Sequence, residues 1–302
     1  MNAILFTIII PHKDSVHFLP KLFSSIPNLD SIEIILVDNS LNKISCKELG
    51  IDRPYRLLYS APERGAGGAR NVGIEHAHGK WLIFADADDY FSEQAFDVFF
   101  SKVNSEADLI YTCMDGIYID TGIHSDRGNS YTQLVKGYLS GIIPETDLRF
   151  KFSSPCCKMV RHDLIKSYNL RYDEVTASND MFFSLLCGFY AKRIEAIDKI
   201  TYIATVSRGS LTKRRDYDVL SARYEVNLRY NKFLRENNYP EYQRSVLYYA
   251  ISMCKTGIRP TLKVIRLLFK YRQNPCIGYR NWIKTRMKKK RKDIIDKQYI
   301  TK

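Results

Sequence analysis

The stretch GKWLIFADADDYF, residues 79–91, sets a run of bulky apolar residues against three aspartates within four positions, Asp86, Asp88 and Asp89. The apolar half reads as a short buried β-strand that stops abruptly. Carboxylates this close repel one another, so a compensating positive charge is expected among them. At the end of a strand, residues two apart point to the same side, which aims Asp86 and Asp88 at one spot just beyond a sheet. Two oxygen-only ligands with few others nearby suit a hard cation, Mn²⁺ or Mg²⁺, that keeps waters and takes further ligands from a substrate phosphate. The competing reading is a solvated turn ahead of a helix, because an isolated D-x-D is a short and common pattern.

Outward from this stretch, the same design repeats. Residues 4–11 (ILFTIIIP), 31–40 (SIEIILVDNS), 55–60 (YRLLYS) and 107–115 (ADLIYTCMD) read as further strands. Residues 17–26 and 92–103 read as helices, with Ser92 a candidate cap for the second. Continuous apolar strands alternating with helices predict an α/β fold, a Rossmann-like, mostly parallel sheet with helices on both faces. Ligands of such sheets bind at the carboxyl ends of the strands, where Asp14, Asp38, Asp86 and Asp88 all fall.

Residues 63–71 (ERGAGGARN) resemble half of a dinucleotide fingerprint: Gly65 and Gly67 fit, but Arg70 stands where a small residue should pack the helix. No G-K-[ST] follows, so a P-loop is excluded too. The segment is read as a flexible loop entering a helix at about Ala69, with Arg70 near the helix start and suited to an anionic or carbonyl-bearing ligand, against an ordinary loop with a surface Arg. From about residue 116 to 215 the pattern loosens into two helices separated by a loop that ends in Ser178-Asn179-Asp180. After residue 216 the chain is helical and rich in Tyr and Arg.

The 302 residues, 45% of them hydrophobic, suffice for a large core and about two domains' worth of chain. No apolar run approaches the ~20 residues of a membrane helix. Seven irregularly spaced cysteines without a C-x-x-C pair read as reduced thiols of a cytosolic protein, not as a zinc site. The net charge of +13 is concentrated: residues 255–302 hold 16 Lys or Arg against Asp293 and Asp296, net +14, leaving −1 for the remainder. An anionic partner is therefore expected at the tail.

Taken together and in order, TIIIPHKD, IEIILVDNS, GAGGARNVGIEHAHGKWLIFADADD and CCKMVRHDLI…LRYDEVTASNDMFF resemble the family-2 glycosyltransferases of the GT-A fold, over roughly residues 5–215. The resemblance is to inverting enzymes of the bacterial surface-polysaccharide type. It implies a nucleotide-sugar-binding half (1–115) and an acceptor-binding and catalytic-base half (116–215), and leaves outside it a helical, basic C-terminal extension (216–302). By the same resemblance, Pro11 and the loop to Asp14 touch the nucleotide, and Asp38 and Asn39 contact base and ribose, with a UDP-sugar favoured. Arg70 lies by the base or phosphates, Asp86 approaches the ribose and Asp88 binds the metal, Mn²⁺ or Mg²⁺, with Asp89 supporting. Asp180 falls at the catalytic base. A sugar hydroxyl is a poor nucleophile, and a carboxylate in hydrogen-bond reach accepts its proton as the new bond forms. Without the resemblance, Asp180 reads as the N-cap of the helix that follows. The loop SRGSLTKRR, 207–215, resembles one near the end of the catalytic region, with Arg208 set either against the diphosphate or in solvent.

In the tail, Arg259, Lys263, Arg266 and Lys270 recur on one helical face, while Ile258, Leu262, Ile265 and Phe269 occupy another; GYRNWIKTRMKKKRK follows, with Trp282 and Ile283 among bases. Such a segment suits an anionic membrane, which predicts a cytoplasmic protein peripheral on the inner face of the cell membrane, near a glycan or lipid-linked acceptor. Its alternatives are docking on the catalytic domain and, ranked last, nucleic acid. Two rival functions remain. A sugar-phosphate nucleotidyltransferase needs a glycine-rich first loop where this chain has PHKDS. A non-catalytic binding module on a degenerate transferase fold is opposed by Asp88 and Asp180 being present.

Overall fold

The apolar runs become buried strands in the computed structural model, which describes residues 3–206, 215–279 and 283. The first are β1 (Phe6–His12), β2 (Ile32–Asp38), β3 (Arg56–Tyr59) and β4 (Trp81–Phe84). Every residue of β1 and β4 is buried, as a strand covered on both faces requires. These strands are mutually parallel in the order β3-β2-β1-β4. Helices α1 (Leu19–Ser24), α2 (Cys46–Leu49) and α3 (Gly65–His76) lie between them in sequence.

Beyond β4 the sheet continues through β8 (Lys158–Arg161), β6 (Leu109–Tyr118), β9 (Ile194–Val206) and β5 (Tyr90–Phe91), with β7 (His124–Ser125) beside β6. Strand β8 is antiparallel to both of its neighbours, β4 and β6, and β6 is parallel to β9. Six of the nine strands among the described residues (β1, β2, β3, β4, β6 and β9) therefore run one way, with β5, β7 and β8 reversed. The result is the mixed α/β, GT-A-like sheet expected, with the carboxyl ends of its six codirectional strands along one edge. Helices α4 (Ala95–Ser101), α5 (Asn129–Leu139), α6 (Glu145–Lys151), α7 (His162–Ser167) and α8 (Asn179–Tyr190) complete this part.

Two local expectations are corrected. Ser92 does not cap α4: Gln94 holds that position, and Ser92 Oγ donates to the carbonyl of Ile200 (2.6 Å), tying the helix entrance to β9. The helix expected from Ala69 begins at Gly65 and takes in the glycines. They are helical because they are contact surfaces. A Cβ on Gly67 would stand 1.9 Å from the carbonyl oxygen of Asp173, and one on Gly73 would stand 2.4 Å from Ile9 Cγ2.

Compact units comprise Met1–Arg214 and Arg215–Lys302. The first is built on one continuous core running from Phe6 to Ala204, and β6 passes unbroken through residues 115 and 116. In the second, α9 (Tyr217–Glu236), α10 (Leu247–Cys254) and α11 (Ile258–Lys270) pack around Tyr224, Leu228, Met253, Val264 and Leu267. Arg208 and Trp282 lie outside the described residues.

Candidate functional site

Strand β4 ends at Phe84, and the acids follow in a turn closed by the Asp89 amide on the Asp86 carbonyl (3.1 Å). Asp86 and Asp88 are thus presented by a turn, not by strand alternation. The end of β9 braces that turn at three points. The Asp86 amide donates to Tyr202 Oη (2.8 Å), Thr205 Oγ1 donates to the Asp88 carbonyl (2.7 Å), and the Thr205 amide donates to Asp89 Oδ1 (2.7 Å). Asp89 is buried. Burial, then the neighbouring Asp88 and Asp86 charges, push its carboxyl well up, with Arg127 opposing. Burial and Asp86 likewise raise Asp88, again against Arg127.

Part of the positive charge demanded by these acids comes from the chain itself. Arg70 Nη2 lies 2.5 Å from Asp86 Oδ1, and its Nη1 donates to Asn179 Oδ1 (2.9 Å). Arg127 donates to the carbonyl of Thr205, and the charges of Asp89, Asp86 and Asp88 raise its pKa against the opposing effect of burial. Arg70 does not sit on a flexible loop. It lies in the middle of α3, only 5% exposed, with its guanidinium 5.2 Å from the ring centre of Tyr172, which stacks on Phe183.

The segment leading to Asp180 is fixed to the same helix. Asn71 exchanges two hydrogen bonds with the Tyr172 backbone (2.8 and 3.0 Å), and Arg64 makes a two-pronged bond to Glu174 (2.8 and 2.6 Å). Arg64, Gly67 and Asn71, three and four residues apart, form one face of α3. Asp180 is not the cap of α8: Ser178, at φ 61°, holds that position, and Asp180 lies in the first turn. Its carboxyl is partly buried, which raises its pKa, while the Arg70 and Lys158 charges counter the rise. Lys158 is itself 2% exposed, donates to the Phe152 carbonyl (2.8 Å), and is pushed down to about 8 by burial.

The remaining residues singled out in the sequence line the ends of β1 and β2, next to β4. Pro11 is buried and paired in register with Val37. Asp14 is exposed at φ 50°, its amide donating to Ser40 Oγ (2.9 Å). Asp38 is fully buried. Its Oδ1 accepts from the Ser40 amide (2.9 Å) and His12 Nδ1 (3.2 Å), its Oδ2 from the Ile44 amide (3.0 Å). Burial would raise its pKa, but these bonds hold it below the usual value. The Ser15 amide donates to His12 Nε2 (3.1 Å), which leaves Nδ1 as the donor to Asp38. Asn39 is buried beside them, its amide on the His12 carbonyl (2.9 Å).

The structure therefore groups Asp86, Asp88, Arg70 and the Asn179–Asp180 step, with Pro11, Asp14, Asp38 and Asn39 at the adjoining strand ends. Four residues escaped sequence reasoning: His12, Asn71, Arg127 and Lys158. His12 and Asn71 sat inside quoted motifs, and their burial beside polar backbone was the missing signal; Arg127 and Lys158 had no local pattern to mark them. The donor set of the acidic turn fits a hard divalent cation. It consists of the oxygen-only carboxylates of Asp86 and Asp88, the latter raised first by burial and then by the Asp86 charge, and no group of three or more His, Cys, Asp or Glu gathers to hold a metal among the described residues.

The sequence profile of Glycosyl transferase family 2 matches residues 7–168. EpsH of Bacillus subtilis (strain 168) is 27% identical over 232 residues, covering 72% of this chain and 65% of EpsH. The poly(ribitol-phosphate) beta-N-acetylglucosaminyltransferase TarS of Staphylococcus aureus (strain MW2) is 24% identical over 221 residues, 68% of this chain and 36% of TarS. The chain thus spans less than two thirds of either relative. The crystal structure of S. aureus TarS 1–349 in complex with UDP-GlcNAc superposes with a TM-score of 0.65 at 18% identity, covering 88% of this chain and 80% of that one. A mannosyltransferase from Pyrobaculum calidifontis in complex with GDP-Man and Mn²⁺ superposes with a TM-score of 0.56 at 13% identity, covering 93% and 84%. With the matched profile spanning more than half its length and the GT-A sheet beneath it, this chain belongs to the family-2 glycosyltransferases.

Proposed function

We propose that the chain transfers a sugar from a nucleotide-diphosphate donor, a UDP-sugar in preference, to a hydroxyl of a glycan or lipid-linked acceptor of a surface polysaccharide, with inversion at the anomeric carbon. One observation carries the reading. A single guanidinium, that of Arg70, bonds both Asp86 of the acidic turn and Asn179, the residue before Asp180. Donor-binding acids and a candidate base are thereby tied together.

In this reading Pro11, Asp14, Asp38 and Asn39 hold the base and ribose at the ends of β1 and β2, and Asp86 approaches the ribose. Asp88, with Asp86 beside it, would hold Mn²⁺ or Mg²⁺, which supplies Lewis-acid neutralisation of the diphosphate. The Asp180 carboxylate accepts the acceptor hydroxyl's proton as its oxygen bonds to the anomeric carbon. The bond from that carbon to the diphosphate oxygen breaks on the opposite face, and the nucleotide diphosphate leaves with the electron pair. Arg70 and Lys158 keep Asp180 from drifting too far toward its protonated form despite its burial. The TarS complex with UDP-GlcNAc supports a UDP-sugar donor, and the Pyrobaculum complex supports the metal. The basic tail supports a place on the cytoplasmic face of the membrane, although no described helix is long and apolar enough to cross one.

The test is nucleotide release from a panel of nucleotide sugars with Mn²⁺. One donor should release its diphosphate, and Asp180→Asn should abolish release while retaining the nucleotide. No turnover with any donor would instead favour a binding module.

A further inference from the structure

Helix α11 carries two apolar faces, and among the described residues its own unit uses only one. Val264 and Leu267 are 4% and 6% exposed and join the Tyr224–Leu228 cluster. Ile258, Leu262, Ile265 and Phe269, spaced by four, three and four residues, line the opposite side and are 80%, 61%, 44% and 79% exposed. At 100° per residue these four fall within one narrow stripe, about half a turn from Val264 and Leu267. Large aliphatic and aromatic side chains left in water along one line mark a contact surface.

Charge identifies what covers it. Arg259, Arg266 and Lys270 follow the stripe residues by one position each and are exposed, and exposed Arg272 lies beyond the helix end. Lys263 is engaged with Ser221 Oγ (2.7 Å), and Lys270 approaches Glu225 (3.6 Å). A depression of about 480 Å³ opens at the end of the stripe between Ile265, Leu268, Phe269 and Pro275. Residues 255–279 carry six Lys or Arg and no acid, which opposes pairing of this face with a second copy and favours a polyanionic surface. An apolar line rimmed by guanidinium and ammonium groups matches the acyl boundary and phosphates of a lipid leaflet.

We infer that the outward stripe of α11, Ile258, Leu262, Ile265 and Phe269, is a docking surface for anionic lipid, with Arg259, Arg266, Lys270 and Arg272 on the headgroup phosphates. This deepens the proposed membrane location and rests on it, but not on the transfer chemistry.

The test is flotation of the full chain with vesicles of phosphatidylglycerol and phosphatidylcholine, against phosphatidylcholine alone. The wild type and Asp180→Asn should bind the anionic vesicles equally and release as salt is raised. The double variant Leu262→Glu/Phe269→Glu should bind roughly tenfold more weakly or worse, since two buried apolar contacts are exchanged for like-charge repulsion. Ile142→Glu, at a residue of the first unit that is 80% exposed, should change nothing. Failure of the wild type to float, equal binding to neutral vesicles, or unchanged binding of the double variant would overturn the inference. A wild-type dimer that the double variant dissolves would assign the stripe to a second copy and overturn it as well. Nucleotide release failing while flotation succeeds would count against the transfer reading alone.

Discussion

Replacing Gly67 by Ala adds one methyl group at the point where α3 meets the segment that carries Asp180. Its Cβ would lie 1.9 Å from the Asp173 carbonyl oxygen, 2.9 Å from the Asp173 carbonyl carbon and 3.1 Å from Asn179 Cβ. Ordinary contact begins at 3.4 Å, so the segment must retreat by about 1.5 Å. It cannot retreat freely, because Asn71 holds Tyr172 by two bonds and Arg64 holds Glu174 by two more. Overpacking costs about 1–3 kcal/mol. Exchanging glycine for alanine inside a helix returns about 1 kcal/mol, so the net loss of stability should be small, about 1 kcal/mol. The cost should fall on the chemistry. A misplacement of about 1 Å reduces rate on the order of 100-fold, and Asp180 follows Asn179 directly. Gly67 does not touch the acidic turn itself and reaches it only through Asn179 and Arg70, so nucleotide affinity should fall far less than kcat. Steady-state nucleotide release, a nucleotide-binding titration and a urea melt separate these effects. A Gly67→Ala protein with unchanged kcat would refute the idea that α3 positions the base. So would a variant whose nucleotide affinity falls as far as its kcat.

Three further outcomes follow from the same contacts. Asp180→Asn should lower kcat by about 100-fold or more and keep nucleotide binding; because burial raises Asp180, wild-type kcat should climb with pH through a range above that of an ordinary aspartate and then level off. Arg70→Met removes the partner of Asp86 and the link to Asn179. Asp86 retains 31% side-chain exposure, so the loss in a urea melt should be about 2 kcal/mol, below the 3–5 kcal/mol of a fully buried pair. Lys158→Met should stabilise the protein at pH 7 by on the order of 2 kcal/mol, the depression to about 8 less the bond lost to Phe152. Above pH 8 the folded wild type holds fewer protons than the unfolded chain, so wild-type stability rises and the variant's advantage should fade toward pH 10.5; an advantage constant with pH would show that Lys158 is not buried as a cation.

The first half of the sheet was readable because its physics is local. Strands β1, β2 and β4 are dominated by apolar residues, and acids follow or end each of them. The second half hides its plan. Strand β8 has four residues, β5 and β7 have two each, and β9 carries bulges against β6, so none presents a long period. The glycines of α3 misled for a related reason: glycine marks a close approach as readily as a loop, and the sequence does not say which element approaches. Asp86, Asp88 and Asp180 became candidates through their motifs alone. Arg127 was not, since it reaches the acids from the start of α5 through the Thr205 carbonyl, a relation between residues 78 apart. His12 hid inside PHKD because its role lies in burial against Asp38, which only the packed sheet reveals.

The central claim is a metal-dependent nucleotide site at the acidic turn, and thermal unfolding with UDP, GDP, CDP, TDP or CMP, with and without Mn²⁺, tests it most directly. At 100 times its dissociation constant the matching nucleotide should add about 2.7 kcal/mol. One diphosphate should stabilise the wild type only with Mn²⁺, and no such shift should appear in Asp88→Ala. Equal shifts with and without the metal, a shift that survives in Asp88→Ala, or none with any nucleotide would contradict it.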